Sequence, residues 1–309
     1  AEPQESAHFV DAPWLGGMLR GTFRASAGLE KAANHMPVVF PYERSYELLL
    51  KPWLGGDFFA ELEGCRFQPD GDSFDPQSAW WAQELCRLAY KWTKEERAPE
   101  LARVGLRERG SVGDRVFFAM LVEGEGGVWG ERVSFLIFRG TATLEAWRLN
   151  ARFLPKRLGE SGRVHRGFLA GLEEHWIALR DLVAKASGAL HLAGHSLGAT
   201  HAVLMANRLG ERVREVHTFG MPRLGDAQFA ETLSTQTVWR VVNGRDCVTR
   251  MPWRWPGGYR HLGAEIRLAV DRNTPRRLLS PPSLASDHAP VNYTAALARM
   301  ALADMDHHL

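Results

Sequence analysis

Apolar positions recur along this chain with two periods, and the place where one gives way to the other divides it. Residues 1–74 are rich in Gly, Pro and aromatics with no sustained period. PWLGG occurs there twice, at Pro13 to Gly17 and Pro52 to Gly56, in unmatched surroundings that read as coincidental turns rather than a repeat. Asp75 followed by Pro76 then has the form of a helix start, an N-cap and a first-turn proline. Trp81, Leu85, Leu88 and Trp92 line one face of the helix it opens. Past a charged stretch containing Pro99, two runs rich in β-branched and aromatic residues, 115–122 and 132–138, flank the turn EGEGG and predict a hairpin.

Beyond that hairpin the order becomes alternating helix and strand. Leu169, Leu172, Trp176, Leu179 and Val183 form a helical stripe ended by Gly188, and 189–193 reads as a short buried strand. A helix at 197–209, a strand at 213–219, a helix near 226–233, a strand at 237–243 and a last strand near 260–270 follow. The polar, Pro-containing stretch 271–287 reads as a loop, and 290–303 as the closing helix. This order predicts an α/β fold with a mostly parallel central sheet flanked by helices.

Composition narrows the picture by exclusion. The longest uninterrupted apolar run, Val116 to Val122, is far short of the roughly 20 residues a membrane-spanning helix needs. A net charge of +2 over 309 residues argues against a nucleic-acid partner. Three cysteines, Cys65, Cys86 and Cys247, make no disulfide framework and no CxxC pair, and no metal-ligand spacing is present. Basic residues divide into 32 Arg and 6 Lys, which reads as genomic base bias, while 11 Trp supply large amphipathic rings. The opening AEPQESAHFV lacks a basic segment followed by an apolar one, which fits a cytoplasmic protein or a secreted one whose signal has been removed.

The chemistry concentrates at Gly194-His195-Ser196-Leu197-Gly198, between an apolar strand and an apolar helix. This is G-x-S-x-G in its required context. A serine on a strained strand-to-helix turn needs neighbours without side chains two positions away on each side, so that the backbone can double back. Its hydroxyl then stands at a helix N-terminus, where free amides favour a developing oxyanion. An unassisted serine is a poor nucleophile, so an acid and a histidine base are expected downstream in that order. Asp246 lies just past the carboxyl end of strand 237–243, where open α/β sheets build their sites, and is favoured over Asp226, which reads as a helix cap. His288, between the long loop and the closing helix, is favoured as base over His261, which falls within the predicted last strand. His195 should point away from the nucleophile.

At this point the residues resemble the class 3 lipases, the secreted fungal triacylglycerol lipases and their bacterial relatives. The resemblance is collinear over about 76–303: FRGT at Phe138 to Thr141, Val164-His165-Arg166-Gly167-Phe168, GHSLGA at Gly194 to Ala199, Gly220 to Asp226, VVNGRD at Val241 to Asp246, and Asp287-His288 followed by Tyr293. It implies an α/β-hydrolase fold with Ser196, Asp246 and His288 as triad, and an oxyanion hole from the N–H groups of Thr141 and Leu197. It also implies a lid helix over Ala142 to Phe153, with Leu144 and Trp147 covering the site in water and turning outward onto lipid. Six basic residues against two acidic ones give 142–167 a local charge of +4, above that of the whole chain. Residues 1–74 and the cysteines depart from the family.

The expectation is therefore one domain over 1–309, with 75–309 as catalytic core and 1–74 as an extension without an assigned role. Its function would be a serine carboxylic-ester hydrolase, a lipase on acylglycerols working through an acyl-enzyme. No cofactor or metal is implied; the partners are a lipid or other ester substrate and a lipid–water interface, with no nucleic acid and no transmembrane segment. Alternatives on the same scaffold are a phospholipase A1 or a feruloyl or other short-acyl esterase. A lipid-binding protein without turnover and a peripheral membrane module using the basic stretch are the readings from other classes.

Overall fold

Phe118–Gly124 (β2) and Val133–Phe138 (β3) pair antiparallel across the Gly-rich turn, as their β-branched and aromatic composition predicts. The computed structural model describes residues 41–60, 65–68, 73–140, 154–252, 258–270 and 280–307. A strand that the sequence does not announce, Leu106–Gly113 (β1), adds to the outer side of β2. On the other side of β3 run Ala189–His195 (β6), Val213–Phe219 (β7), Val238–Asn243 (β8) and Ala264–Leu268 (β9), each parallel to its neighbour. The seven-stranded sheet has the order β1-β2-β3-β6-β7-β8-β9. Pro155–Arg157 (β4) and Arg163–His165 (β5) form a separate two-stranded sheet.

Near-continuous apolar strands bury both faces, which separates the core into two layers. Met120, Val122, Phe135 and Ile137 face one layer, with Trp80 and Trp81 of helix α2 (Pro76–Leu88) and Tyr293 and Leu297 of the closing helix. Ala119, Leu121, Leu136 and Phe138 face the other, against Arg166–Glu174 (α4), Trp176–Val183 (α5) and Leu197–Leu209 (α6). Asp75 caps α2 through the N–H groups of Gln77 and Ser78. The remaining described helices are Tyr46–Leu50 (α1), Lys94–Arg103 (α3), Ala227–Glu231 (α7), Ser283–Ser286 (α8) and Pro290–His307 (α9). None of these is long and apolar enough to cross a membrane.

Several details differ from the sequence reading. The charged stretch around Pro99 is helical: Thr93 and Glu96 close a capping box at the start of α3, and a buried two-bond pair between Arg97 and Glu108 ties it to β1. The stripe 169–183 is two helices broken at His175. Trp92 lies past the end of α2 and is 43% exposed, with the Arg139 guanidinium 4.4 Å from its ring centre. Strand β9 begins at Ala264, so His261 precedes it. The described residues form one compact unit. Tyr42, Phe58, Phe59 and Phe67 are buried, so the described part of the N-terminal stretch joins the core. All three cysteines are free.

Candidate active site

The parallel register brings three strand ends together. Phe138 of β3 pairs with Gly194 of β6, and His195 pairs with Phe219 of β7, which pairs with Val241 of β8. The chain leaving β6 turns at Ser196 with φ 57° and ψ −123°, a conformation that costs a non-glycine residue about 1–3 kcal/mol. Two bonds frame the turn: the Ser196 N–H donates to the Phe219 carbonyl at 2.8 Å, and the Ala199 N–H to the Ser196 carbonyl at 3.1 Å. The flanking glycines are a steric requirement. A Cβ on residue 194 would stand 2.3 Å from the Gly198 carbonyl, and one on residue 198 would stand 2.2 Å from the Phe138 carbonyl oxygen.

Ser196, 5% exposed, meets His288 and Asp246 in a linear relay. His288 Nε2 lies 2.9 Å from Ser196 Oγ, and His288 Nδ1 lies 2.8 Å from Asp246 Oδ2. A carboxylate oxygen accepts, so Nδ1 carries the proton and Nε2 is left to accept from the serine hydroxyl. Asp246 is fully buried and further satisfied: Oδ1 accepts the Val248 N–H at 2.8 Å and Oδ2 accepts the Tyr293 hydroxyl at 2.7 Å. Burial, with the charge of Asp246 next in effect, pushes the Tyr293 hydroxyl well above the ordinary tyrosine range, so it donates.

A second buried chain supports the base from behind. His195 Nε2 faces the His288 carbonyl at 3.0 Å, and its Nδ1 faces the Tyr90 hydroxyl at 3.0 Å. The carbonyl can only accept, so Nε2 carries the proton and Tyr90 donates to Nδ1. Burial, and then the neighbouring His288, hold His195 well below the usual histidine range and keep it neutral. His195 therefore turns from the nucleophile, as expected, but towards the base. Nothing in the spacing of Tyr90, just past the end of α2, marks it for this position.

The structure thus brings Ser196, Asp246 and His288 together and leaves the competitors outside. Asp226 caps α7 through the Phe229 N–H at 3.0 Å. Leu197 opens α6, where first-turn N–H groups have no acceptor within the helix. Thr141, Leu144, Trp147 and the expected lid over 142–153 lie outside the described residues. The chain approaches them at Gly140, where a Cβ would stand 3.1 Å from Ser196 Cβ. The basic stretch is partly offset by acids beyond it: Lys156 pairs with Glu173 at 2.6 Å and Arg163 with Asp226 at 3.5 Å.

The family described as Lipase (class 3) matches residues 135–255. A secreted mono- and diacylglycerol lipase 1 of Fusarium solani is 33% identical over 141 residues, 42% of this chain and 42% of that protein. The toxin TseL of Vibrio cholerae is 32% identical over 114 residues, 34% of this chain and 17% of its own length. The chain thus spans less than half the length of these two relatives. The solved structure of the Rhizomucor miehei lipase propeptide complex superposes with a TM-score of 0.52 at 21% identity, covering 71% of this chain and 78% of that one. The fold they share is that of the α/β-hydrolases.

Proposed function

We propose that the chain is a class 3 lipase, a serine carboxylic-ester hydrolase cleaving acylglycerol esters through an acyl-enzyme. The observation that carries this reading is the relay of 2.9 and 2.8 Å joining a serine on a strained elbow to a histidine and a buried carboxylate. Ser196 Oγ attacks the ester carbonyl as His288 Nε2 takes its proton. The tetrahedral intermediate collapses, the alcohol leaves with that proton, and water repeats the sequence to free the acid. Asp246 holds the imidazole in the required tautomer and stabilises it when charged.

The Leu197 and Thr141 N–H groups bind the oxyanion, a role supported for Thr141 by the position of the preceding glycine, where an added Cβ would stand 3.1 Å from Ser196 Cβ. Each such donor is worth about 100- to 1000-fold in rate. Leu144 and Trp147 act as lid residues that cover the site in water. The names of relatives support mono- and diacylglycerols as substrates and secretion as the route out of the cell. A panel of p-nitrophenyl esters from C2 to C16, with mono-, di- and triacylglycerols and phosphatidylcholine, tests the reading. Hydrolysis of acylglycerols that vanishes in Ser196→Ala supports it; turnover of phospholipid or feruloyl esters alone would replace the substrate class, and no reaction with a fluorophosphonate probe would refute the hydrolase.

A further inference from the structure

Three residues, Asp287, His288 and Ala289, join α8 to α9, so the position of His288 depends on what is bonded to that short loop. Asp287 is fully buried. Its Oδ2 accepts the Arg245 N–H at 2.8 Å, and its Oδ1 accepts the Tyr42 hydroxyl at 2.5 Å. Asn243 Nδ2 donates to the Asp287 carbonyl at 3.0 Å. A single carboxylate therefore links the residue before Asp246, the residue before His288 and a tyrosine 245 positions upstream. Burial, and then the adjacent Asp287, hold the Tyr42 hydroxyl protonated far above its ordinary range, so in this contact it donates.

Tyr42 does not stand alone. The Glu43 N–H donates to Asn292 Oδ1 at 2.8 Å, while Asn292 Nδ2 gives one bond to the Glu43 carbonyl and another to the Ser286 carbonyl, each 2.8 Å. A Cβ on Gly55 would stand 2.2 Å from Val291 Cγ1, so the same strap lies directly on the start of α9. The buried Glu84 and Arg87 side chains complete the attachment. Arg87 donates to the Gly56 and Asp57 carbonyls, and Glu84 accepts from the Phe59 N–H and from the Thr294 hydroxyl of α9. The strap 42–59 is thereby fastened on both sides of the histidine loop.

We propose that Tyr42 is a positioning residue for the hydrolysis argued above: acting through Asp287, it holds the His288 loop in register with the Asp246 loop, which makes the N-terminal strap a working part of the site. The inference rests on the hydrolase reading. Its rival is a purely structural strap, whose loss would lower the melting temperature and leave turnover of the folded protein unchanged.

The two are separated by steady-state kinetics of the full chain on p-nitrophenyl butyrate, fluorophosphonate labelling of Ser196 and thermal melts. Tyr42→Phe keeps the ring and removes only the donor. Its kcat should fall about tenfold with KM within about twofold, and labelling should slow by a similar factor. In an Asp287→Asn background the same substitution should change kcat by no more than about twofold, because the partner through which it acts has been altered. Should Asp287→Asn fail to fold, Asn292→Ala, which breaks the adjoining bonds of the strap, replaces it in the cycle with the same expectation. A folded Tyr42→Phe with wild-type kcat, or losses that multiply in the double variant, overturns the proposal. A wild-type chain that turns over the ester while Tyr42→Phe is unaffected leaves the hydrolase standing; a wild-type chain inert to ester and probe removes both.

Discussion

Replacing Gly194 by Ala tests whether the elbow geometry, beyond the presence of three suitable side chains, carries the chemistry. The new Cβ would stand 2.3 Å from the carbonyl carbon and oxygen of Gly198 and 2.6 Å from the Ala199 nitrogen. Carbon atoms in ordinary contact lie about 3.5–4.0 Å apart, so one of the two backbones has to move by about 1 Å. Neither yields easily: β6 is hydrogen-bonded between β3 and β7, and Gly198 already sits against the Phe138 carbonyl. The displacement passes to Ser196 between them and opens its 2.9 Å contact with His288 Nε2. A misplacement of that size costs about 100-fold in rate, and inserting a methyl group into a packed site costs about 1–3 kcal/mol of stability. For p-nitrophenyl butyrate, kcat should therefore fall about 100-fold while KM stays within a few fold, with a native circular dichroism spectrum and a melting temperature lowered by roughly 2–4 °C per kcal/mol. A folded Gly194→Ala enzyme within about threefold of the wild-type kcat would refute the argument that this contact sets the nucleophile's position.

Other consequences are as direct. Asp246→Asn keeps the shape of the acid but frees the imidazole to adopt the wrong tautomer; kcat should drop about 10⁴-fold in a folded protein, and a loss below tenfold would remove Asp246 from its role. Arg97→Met strands the buried Glu108 carboxylate and should cost about 3–5 kcal/mol in urea denaturation, most of it regained in Arg97→Met/Glu108→Leu; a single variant as stable as wild type contradicts this. Burial pushes His201 down to about 3, below its unfolded value, so folding favours the neutral ring. That stability is complete above about pH 6.5 and is lost as pH falls towards 3, with a slope of up to about 1.4 kcal/mol per pH unit. His201→Gln should flatten the fall in unfolding free energy between pH 6.5 and 4, and an unchanged profile would show that other groups control it.

What the sequence revealed and what it hid follow from the range of the interactions. The hairpin of β2 and β3, the start of α2 and the limits of α6 and β7 depend on contacts within a few residues, and residue type, turn glycines and capping announce them. Strand β1 is written LRERGSVG, with one large apolar residue at its start; it is a strand because β2 offers it an edge and because Glu108 and Arg109 find partners on α3 and β2. Helix α3 carries its capping box at Thr93 and Glu96, a local signal within a stretch that reads from its composition only as charged. The Asp75 and Pro76 start is equally local, whereas the helix it opens ends at Leu88, before Trp92.

The same distinction sorts the residues of the site. Ser196 is fixed by a pentapeptide and Asp246 follows a strand whose register is set by the sheet, so order along the chain points to both, whereas the turn after β3 is marked only by the family resemblance. His288 follows no strand end. It is reached after β9 and the short helix α8, and the sheet gives it no register. Its placement comes instead from groups drawn from across the molecule: His195 on its carbonyl, Asn243 and Arg245 on Asp287, Tyr42 on the same carboxylate and Asn292 on the strap. None of these contacts is implied by spacing, because each forms only after the fold has brought distant segments together. A serine held by the sheet tolerates change far away, whereas a histidine held by convergent side chains does not. Substitutions remote in sequence that lower kcat without moving KM should therefore gather around 287–292 rather than around the nucleophile.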